Sequence, residues 1–298
     1  MLWIIPALTA PFINAVNNFL DKYLVSGAIK NPKVLPVYLA VFSFFVGTAV
    51  WAGFGFFRPS IFALFGIASG ITTVVAAIAY FKLMSQKDVS EMIFYIGLTT
   101  PFILILSYIF LGERISASQL AGFALILLAV ALISFKKEEA RFKLTKTLAL
   151  ILTVDGMWAL GAVLMKFAIN ENSFIHSISY EGWGMALGGI GLYAFSSEIK
   201  KSFGKDIIEL KKSAIFAIGA NQLFSYCGKM IEYFAYSIGP VALVSVVGGT
   251  QTFYCIFLAV VLTLMFPLTF KENISKDGLL KKIIAAIILM AGLYFINK

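Results

Sequence analysis

The chain has 298 residues, of which 60% are hydrophobic and only 13% are charged. Soluble domains carry about 25% charged residues, so this composition argues against an ordinary soluble domain. The formal net charge of +9 raises the question of nucleic-acid binding. The basic residues, however, lie in short stretches between long apolar segments, and this pattern is explained by the positive-inside rule of membrane proteins.

Ten apolar segments follow one another along the chain, and they are numbered here in chain order. They cover residues 2–26, 34–57, 60–84, 89–111, 116–135, 145–170, 176–198, 213–238, 240–267 and 279–296. Each is long enough to cross a hydrocarbon core about 30 Å thick as a helix of roughly 20 residues. A β-barrel would need short segments of alternating hydrophobicity instead. The sequence therefore predicts an all-α membrane protein with ten transmembrane helices.

Polar residues recur in the same order in the two halves of the chain. Thr9 and Lys22 in segment 1 are 13 positions apart, as are Thr153 and Lys166 in segment 6. Three further matches keep this order: Tyr80-Phe81 with Tyr233-Phe234, Gly97–Phe102 with Gly248–Phe253, and Glu113–Ser116 with Glu272–Ser275. We therefore predict two five-helix units, residues 1–140 and 141–298. The odd number of helices inverts the second unit, and transporters with such repeats bind solute near the midplane. Duplication kept for stable packing alone is the alternative.

A short motif closes the first unit. After Pro101 the sequence reads Leu111-Gly112-Glu113-Arg114-Ile115-Ser116, followed by Gln119 and Gly122. This pattern resembles the end of an EamA-type domain. EamA domains define the drug/metabolite transporter superfamily, and the resemblance covers nearly the whole chain as two tandem domains. It implies ten helices around a central cavity, alternating access, and export or exchange of metabolites such as amino acids, nucleotide sugars or drugs. The second unit departs from the pattern with Lys271 in place of Gly112.

The distribution of basic residues predicts an orientation. Most lysines and arginines lie between segments 1–2, 3–4, 5–6, 7–8 and 9–10. The positive-inside rule places these loops in the cytoplasm and both termini outside. The family resemblance implies the opposite, with termini in the cytoplasm. We expect a multi-pass protein of the plasma membrane of a prokaryote.

Segment 8 carries the densest polar stripe of the chain. At 1.5 Å per residue, Lys229 lies about 14 Å from the end of this segment. Charges at such depth are costly and are functional candidates by default. Glu232 follows three positions later, close enough to pair with Lys229. The same stripe also contains Asn221, Gln222, Tyr226 and Tyr233. We predict a solute-binding wall in which Lys229 meets an anionic group and Glu232 a cationic one. A structural ion pair between them is the alternative.

Other polar residues at mid-depth are further candidates for the binding site. They are Asp155 and Trp158 in segment 6, Asn14 and Asn18 in segment 1, Tyr95 and Thr99 in segment 4, and Gln251 in segment 9. Asn14 and Asn18 share a helix face with Asn17 and Asp21. Plain hydrogen bonding between helices is the alternative for these residues. Asp21, Lys22 and Lys166 lie near segment ends, where we expect them to reach solvent.

Motifs of other protein classes are missing from the sequence. It has one histidine, no H-E-x-x-H and no G-x-x-x-x-G-K-[ST]. We therefore expect a secondary active transporter, an exporter or exchanger, of a small polar or amphipathic metabolite such as an amino acid. The expected partners are this solute and membrane lipid, without cofactor, metal or nucleic acid, in a monomer or homodimer. Asp155 and Glu232 also allow coupling to a proton. The alternative is a membrane-embedded enzyme or a lipid-binding scaffold without solute flux.

Overall fold

The computed structural model of the chain describes residues 2–57, 60–86, 92, 96–97, 99–134, 146–265 and 276–296. Within these ranges the chain consists of helices joined by short connections, without a β-strand. The predicted all-α class is therefore confirmed. A π-helical turn, Leu24–Ala28, and a 3-10 turn, Pro32–Val34, connect the first two helices.

Twelve α-helices lie in the described part of the chain. They are α1 (Ile4–Tyr23), α2 (Leu35–Gly53), α3 (Ala63–Gln86), α4 (Thr99–Leu111), α5 (Ala117–Ser134), α6 (Lys146–Glu171), α7 (Phe174–Phe195), α8 (Ser197–Glu209), α9 (Lys212–Ile238), α10 (Val241–Gly248), α11 (Gln251–Met265) and α12 (Lys276–Ile296). Predicted segment 9 is thus two helices, because the chain turns at Gly249 and Thr250.

Several of these helices meet the length and hydropathy of a membrane span. Among the described residues, four do so by length and composition: Pro32–Gly53, Ala63–Gln86, Ala149–Glu171 and Val241–Val261. Thr99–Leu111, Ala117–Ala129 and Ile283–Ile296 are shorter apolar helices. The total of ten spans stays a prediction.

Helix α8 lies where the sequence predicts a loop between segments 7 and 8. Its Ile199 is buried, and the Phe203 ring packs 5.2 Å from the ring of Tyr38 in α2. Glu198 pairs with Lys33 before α2 at 2.6 Å. The helix is too polar for a hydropathy scan to find, because its apolar residues form a single stripe on a charged helix.

The helices pair across the two halves of the chain. Helix α1 packs along α9, α3 packs along α6, α2 packs along α7, and α5 packs along α12. Helix α4 contacts α6, and α10 and α11 contact α1. The α1–α9 pair and the α3–α6 pair therefore stand on opposite sides of the protein interior.

Small residues bring α7 close to α2 and α3. Gly182 of α7 faces Gly47 of α2, and a Cβ added at Gly182 would lie 2.5 Å from the Ser43 carbonyl oxygen. A Cβ added at Gly184 would overlap the backbone carbonyl of Ile67 in α3. Lipid offers no hydrophobic drive for helix association, so close backbone packing of this kind stabilises the contact.

Two lysines that the predicted repeat aligns, Lys22 and Lys166, cap helix C-termini. Lys22 Nζ donates to the Met84 carbonyl oxygen of α3 at 3.2 Å. Lys166 Nζ donates to the carbonyl oxygens of Tyr236 and Gly239 at the end of α9. Cations favour such helix ends because the last carbonyl groups have no partner within the helix. Both lysines are partly exposed near these helix ends, and the expectation that they reach solvent stays a prediction.

Glu113 caps the helix that follows α9. Its two carboxylate oxygens accept hydrogen bonds from the backbone N–H groups of Val241 at 2.9 Å and Ala242 at 3.1 Å. These are N–H groups in the first turn of α10, which have no carbonyl partner within that helix. The short turn between α9 and α10 is thus held by Lys166 on one side and by Glu113 on the other.

The close packing of α7 on α3 predicts a large effect of one methyl group. Gly184→Ala should lower the thermal unfolding temperature in detergent, because overpacking costs about 1–3 kcal/mol. Gly191→Ala, on the same helix, is the matched control, because its new Cβ meets no atom within 4 Å. The control should keep or raise the unfolding temperature, since alanine favours helix. Equal unfolding temperatures for the two variants would contradict the close packing.

Candidate solute-binding cavity

A cavity of about 280 Å³ lies between the α1–α9 pair and the α3–α6 pair. Its wall also includes residues of α4, α10 and α11, so both halves of the chain contribute to it. Ten of the thirteen predicted site residues line it: Asn14, Asn18, Thr99, Trp158, Asn221, Gln222, Lys229, Glu232, Tyr233 and Gln251. Most of the residues that were predicted from their depth along a segment therefore lie around one cavity.

The remaining three candidates lie elsewhere. Asp155 is buried behind the wall, where its Oδ1 accepts a hydrogen bond from the Thr99 hydroxyl at 2.7 Å. Tyr226 is also buried, with its ring 6.1 Å from the ring of Phe42 in α2. Tyr95 lies outside the described residues. Asp155 therefore contacts the cavity wall only through its hydrogen bond with Thr99. Tyr226 packs behind the wall, against α2.

One polar network at the wall is centred on Asp21. Its Oδ2 accepts from the Tyr80 hydroxyl at 2.8 Å, and its Oδ1 accepts from Asn221 Nδ2 at 2.7 Å. Asn221 Nδ2 also donates to Asn17 at 3.0 Å, and Gln222 donates to Asn221 Oδ1 at 3.1 Å. Asp21 is 3% exposed, so the expectation that it reaches solvent is wrong. Helices α3 and α9 cover it.

A second network contains the deep lysine, and its ion pair differs from the predicted one. Lys229 Nζ lies 2.9 Å from Glu181 Oε1 of α7. The same oxygen accepts from the Tyr233 hydroxyl at 2.7 Å, while Glu232 accepts from Tyr236 at 2.7 Å. The ion pair between Lys229 and Glu232, which was the alternative to a solute-binding role, does not form between these described residues. Lysine before glutamate is the less favourable order along a helix, because it opposes the helix macrodipole.

Glu181 is the main residue of the site that the sequence reasoning missed. It is 1% exposed and lies within the apolar segment 176–198, so its depth was a usable signal. Tyr80 is a second one, and its signal was the predicted repeat, which aligns Tyr80 with Tyr233. Each donates its hydroxyl to a buried carboxylate, Asp21 in one half and Glu181 in the other.

The chemistry that this wall offers is noncovalent binding. It presents carboxylates, amides, phenols and one ammonium group to a small space inside a helical bundle. Among the described residues, no group of three His, Cys, Asp or Glu side chains is placed to hold a metal ion. Mostly apolar walls with a few convergent polar groups are typical of sites for small molecules.

These features define an all-α, multi-pass integral membrane protein with a polar interior cavity. Residues 1–135 match the EamA-like transporter family, so the resemblance to EamA-type transporters is confirmed. One solved structure, titled only as a crystal structure of a protein, is similar at 14% identity. It matches 99% of this chain and 94% of its own, with a TM-score of 0.65. That likeness supports the fold alone. A comparison with curated proteins gave no match.

The ion pair between α7 and α9 predicts strong coupling between its members. Glu181→Gln and Lys229→Met should each destabilise the protein, because removing one partner of a buried pair costs about 3–5 kcal/mol. The double variant should regain much of this loss, which thermal unfolding in detergent would measure. The cycle Lys229→Met with Glu232→Gln is the control and should give a smaller coupling energy. Additive losses in the first cycle would contradict the pair.

Proposed function

We propose that the protein is a secondary active transporter, an exporter or exchanger, of a small polar or amphipathic metabolite. The observation that carries this proposal is the cavity whose wall comes from both halves and contains Asp21, Lys229 and Glu232. Ionisable groups inside a membrane are costly and occur mainly on solute and ion pathways. The match to a transporter family supports the same class.

The proposed mechanism is alternating access between two inverted units, residues 1–140 and 141–298. Exchanging the two units turns the α1–α9 pair into the α6–α3 pair, and it maps α2–α7 and α5–α12 onto themselves. Equivalent side chains behave alike: Thr9 donates to Ile5 O and Thr153 to Ala149 O, each at 2.8 Å. These correspondences support the repeat.

One pair of interfaces breaks this symmetry. Helix α3 packs tightly against α7, whereas the equivalent helices α9 and α2 touch far less. If the cavity opens on one side of the membrane at a time, the two inverted units must pack differently in any single conformation of the protein. The asymmetry therefore supports alternating access around a site at the midplane.

Further parts of the proposal concern the surroundings of the protein. We place it in the plasma membrane of a prokaryote, in contact with lipid, as a monomer or homodimer. The carboxyl groups of Asp21 and Glu232 in the wall make a proton the coupling ion of first choice. The basic loops favour both termini outside.

Flux measurements with purified protein in proteoliposomes test the proposal. Protein-containing vesicles loaded with a mixture of radiolabelled amino acids, amines, nucleosides and sugars should release label to the outside faster than protein-free vesicles do. The double variant Glu181→Gln with Lys229→Met should remain folded but lose flux by about tenfold or more, because the Glu181 carboxylate, which holds Lys229 and Tyr233 in place at the cavity wall, is gone. Glu171→Gln, at the exposed end of α6, is the control and should transport normally.

Absence of flux of every compound with the folded, unaltered protein would contradict transport. Full flux in the double variant would exclude a role of the ion pair and leave transport standing. Chemical conversion of a compound in the mixture without flux would favour the alternative of a membrane-embedded enzyme.

A further inference from the structure

We infer that the cargo of this cavity is a small organic amine that carries a net positive charge and no carboxylate. The inference rests on the proposed transport function and specifies its substrate class. Three independent features of the wall support it: its charge balance, its unpaired acceptor atoms and its aromatic rings.

The charge balance of the wall disfavours an anion. Lys229 supplies positive charge, but its ammonium group is already paired with Glu181 at 2.9 Å. Asp21 takes its hydrogen bonds from the neutral groups of Tyr80 and Asn221. A carboxylate of the cargo would have to displace Glu181 from Lys229, and it would face further acids. An ammonium group instead meets the carboxylates of Asp21 and Glu232, neither of which forms a salt bridge within the described part of the chain.

Glu232 is the acid best placed to meet such a group. Its Oε1 accepts from the neutral Tyr236 hydroxyl at 2.7 Å, and its side chain borders the cavity while staying partly exposed. A carboxylate can accept hydrogen bonds from several donors, so the single bond from Tyr236 leaves Glu232 able to accept more. An ammonium group in the cavity would complete its hydrogen bonds and offset its charge.

An unpaired acceptor in the wall also requires a donor. Gln222 is 3% exposed and lines the cavity, and its Oε1 accepts no hydrogen bond from the described residues. Behind the wall, Asp155 Oδ2 is likewise without a donor. Buried polar atoms are paired in about 90% of cases or more, so each exception calls for an explanation. The N–H groups of an amine would supply the donor that Gln222 lacks.

Aromatic rings face the cavity from two sides. Tyr80 and Trp158 form one pair, with ring centroids 5.2 Å apart, on the α3–α6 side. Tyr233 and Tyr236 form the other on α9, at 5.8 Å. The Lys229 ammonium group already lies 5.9 Å from the Tyr233 ring, so the side of Tyr80 and Trp158 is the one open to a cationic cargo. Cations are attracted to ring faces within about 6 Å. The 280 Å³ volume limits the cargo to a small molecule.

Binding of four matched probes to the purified full-length protein in detergent tests the inference. The probes are 2-phenylethylamine, 2-phenylethanol, phenylacetate and L-phenylalanine, which keep one aromatic group and vary the charge. Ligands that bind the folded state raise its unfolding temperature. We expect the amine to act at concentrations about tenfold below those of the alcohol, because hydrogen bonds to charged groups are the stronger ones. Phenylacetate and L-phenylalanine should act more weakly than the amine.

Two variants test whether the preference for the amine over the alcohol depends on Glu232 in the cavity wall. Glu232→Gln should weaken the effect of the amine by about tenfold and leave that of the alcohol unchanged. Glu171→Gln, outside the cavity, should leave both unchanged. If Glu232→Gln does not fold, the order of the four probes on the unaltered protein decides the matter. Stronger binding of phenylacetate or L-phenylalanine, equal binding of amine and alcohol, or no binding at all would overturn the inference.

Flux of the same probes in proteoliposomes separates this inference from the transport proposal. Amine binding without flux of any probe would support the cargo class and contradict transport. Flux of the acid or the alcohol without preference for the amine would support transport and overturn the cargo class.

Discussion

A charged group deep inside a membrane protein must be met by another group of the same protein, and this requirement organises the interior. Lys229 of α9 is stable at its depth because Glu181 of α7 and the protein around it replace water. Asp21 imposes the same condition on α1, α3 and α9 through Tyr80 and Asn221. The two networks decide which helices stand next to each other around the cavity. The same ion pair and hydrogen bonds therefore determine both the cavity wall and the packing of the helices around it.

Close backbone packing supplies the second condition. Between helices in lipid there is little hydrophobic gain, so contact depends on shape and on small residues. Gly182 and Gly184 let α7 approach α2 and α3 closely enough to place Glu181 opposite α9. A larger side chain at either position would shift α7 and carry the carboxylate away from Lys229.

The sequence predicted features that depend on a single segment, and it did not predict contacts between two segments. Apolar length predicted the helices, and depth along a segment predicted most of the cavity wall. The partner of Lys229 was out of reach, because the distance between α7 and α9 is set by tertiary packing. The helix α8 was missed because its stripe of apolar residues is narrow. Asp21 was misjudged because a helix end that looks exposed in a sequence is covered by neighbouring helices.

The turn between α9 and α10 has a mechanical consequence. Lys166 of α6 holds the last carbonyl groups of α9, and Glu113 holds the first N–H groups of α10. A displacement of α6, or of the connection after α4, must therefore pull on α9 through two short polar links. Lys229 and Glu232 lie on that helix within three turns of the links. The positions of Lys229 and Glu232 in the cavity wall therefore depend on how the C-terminal end of α9 is held.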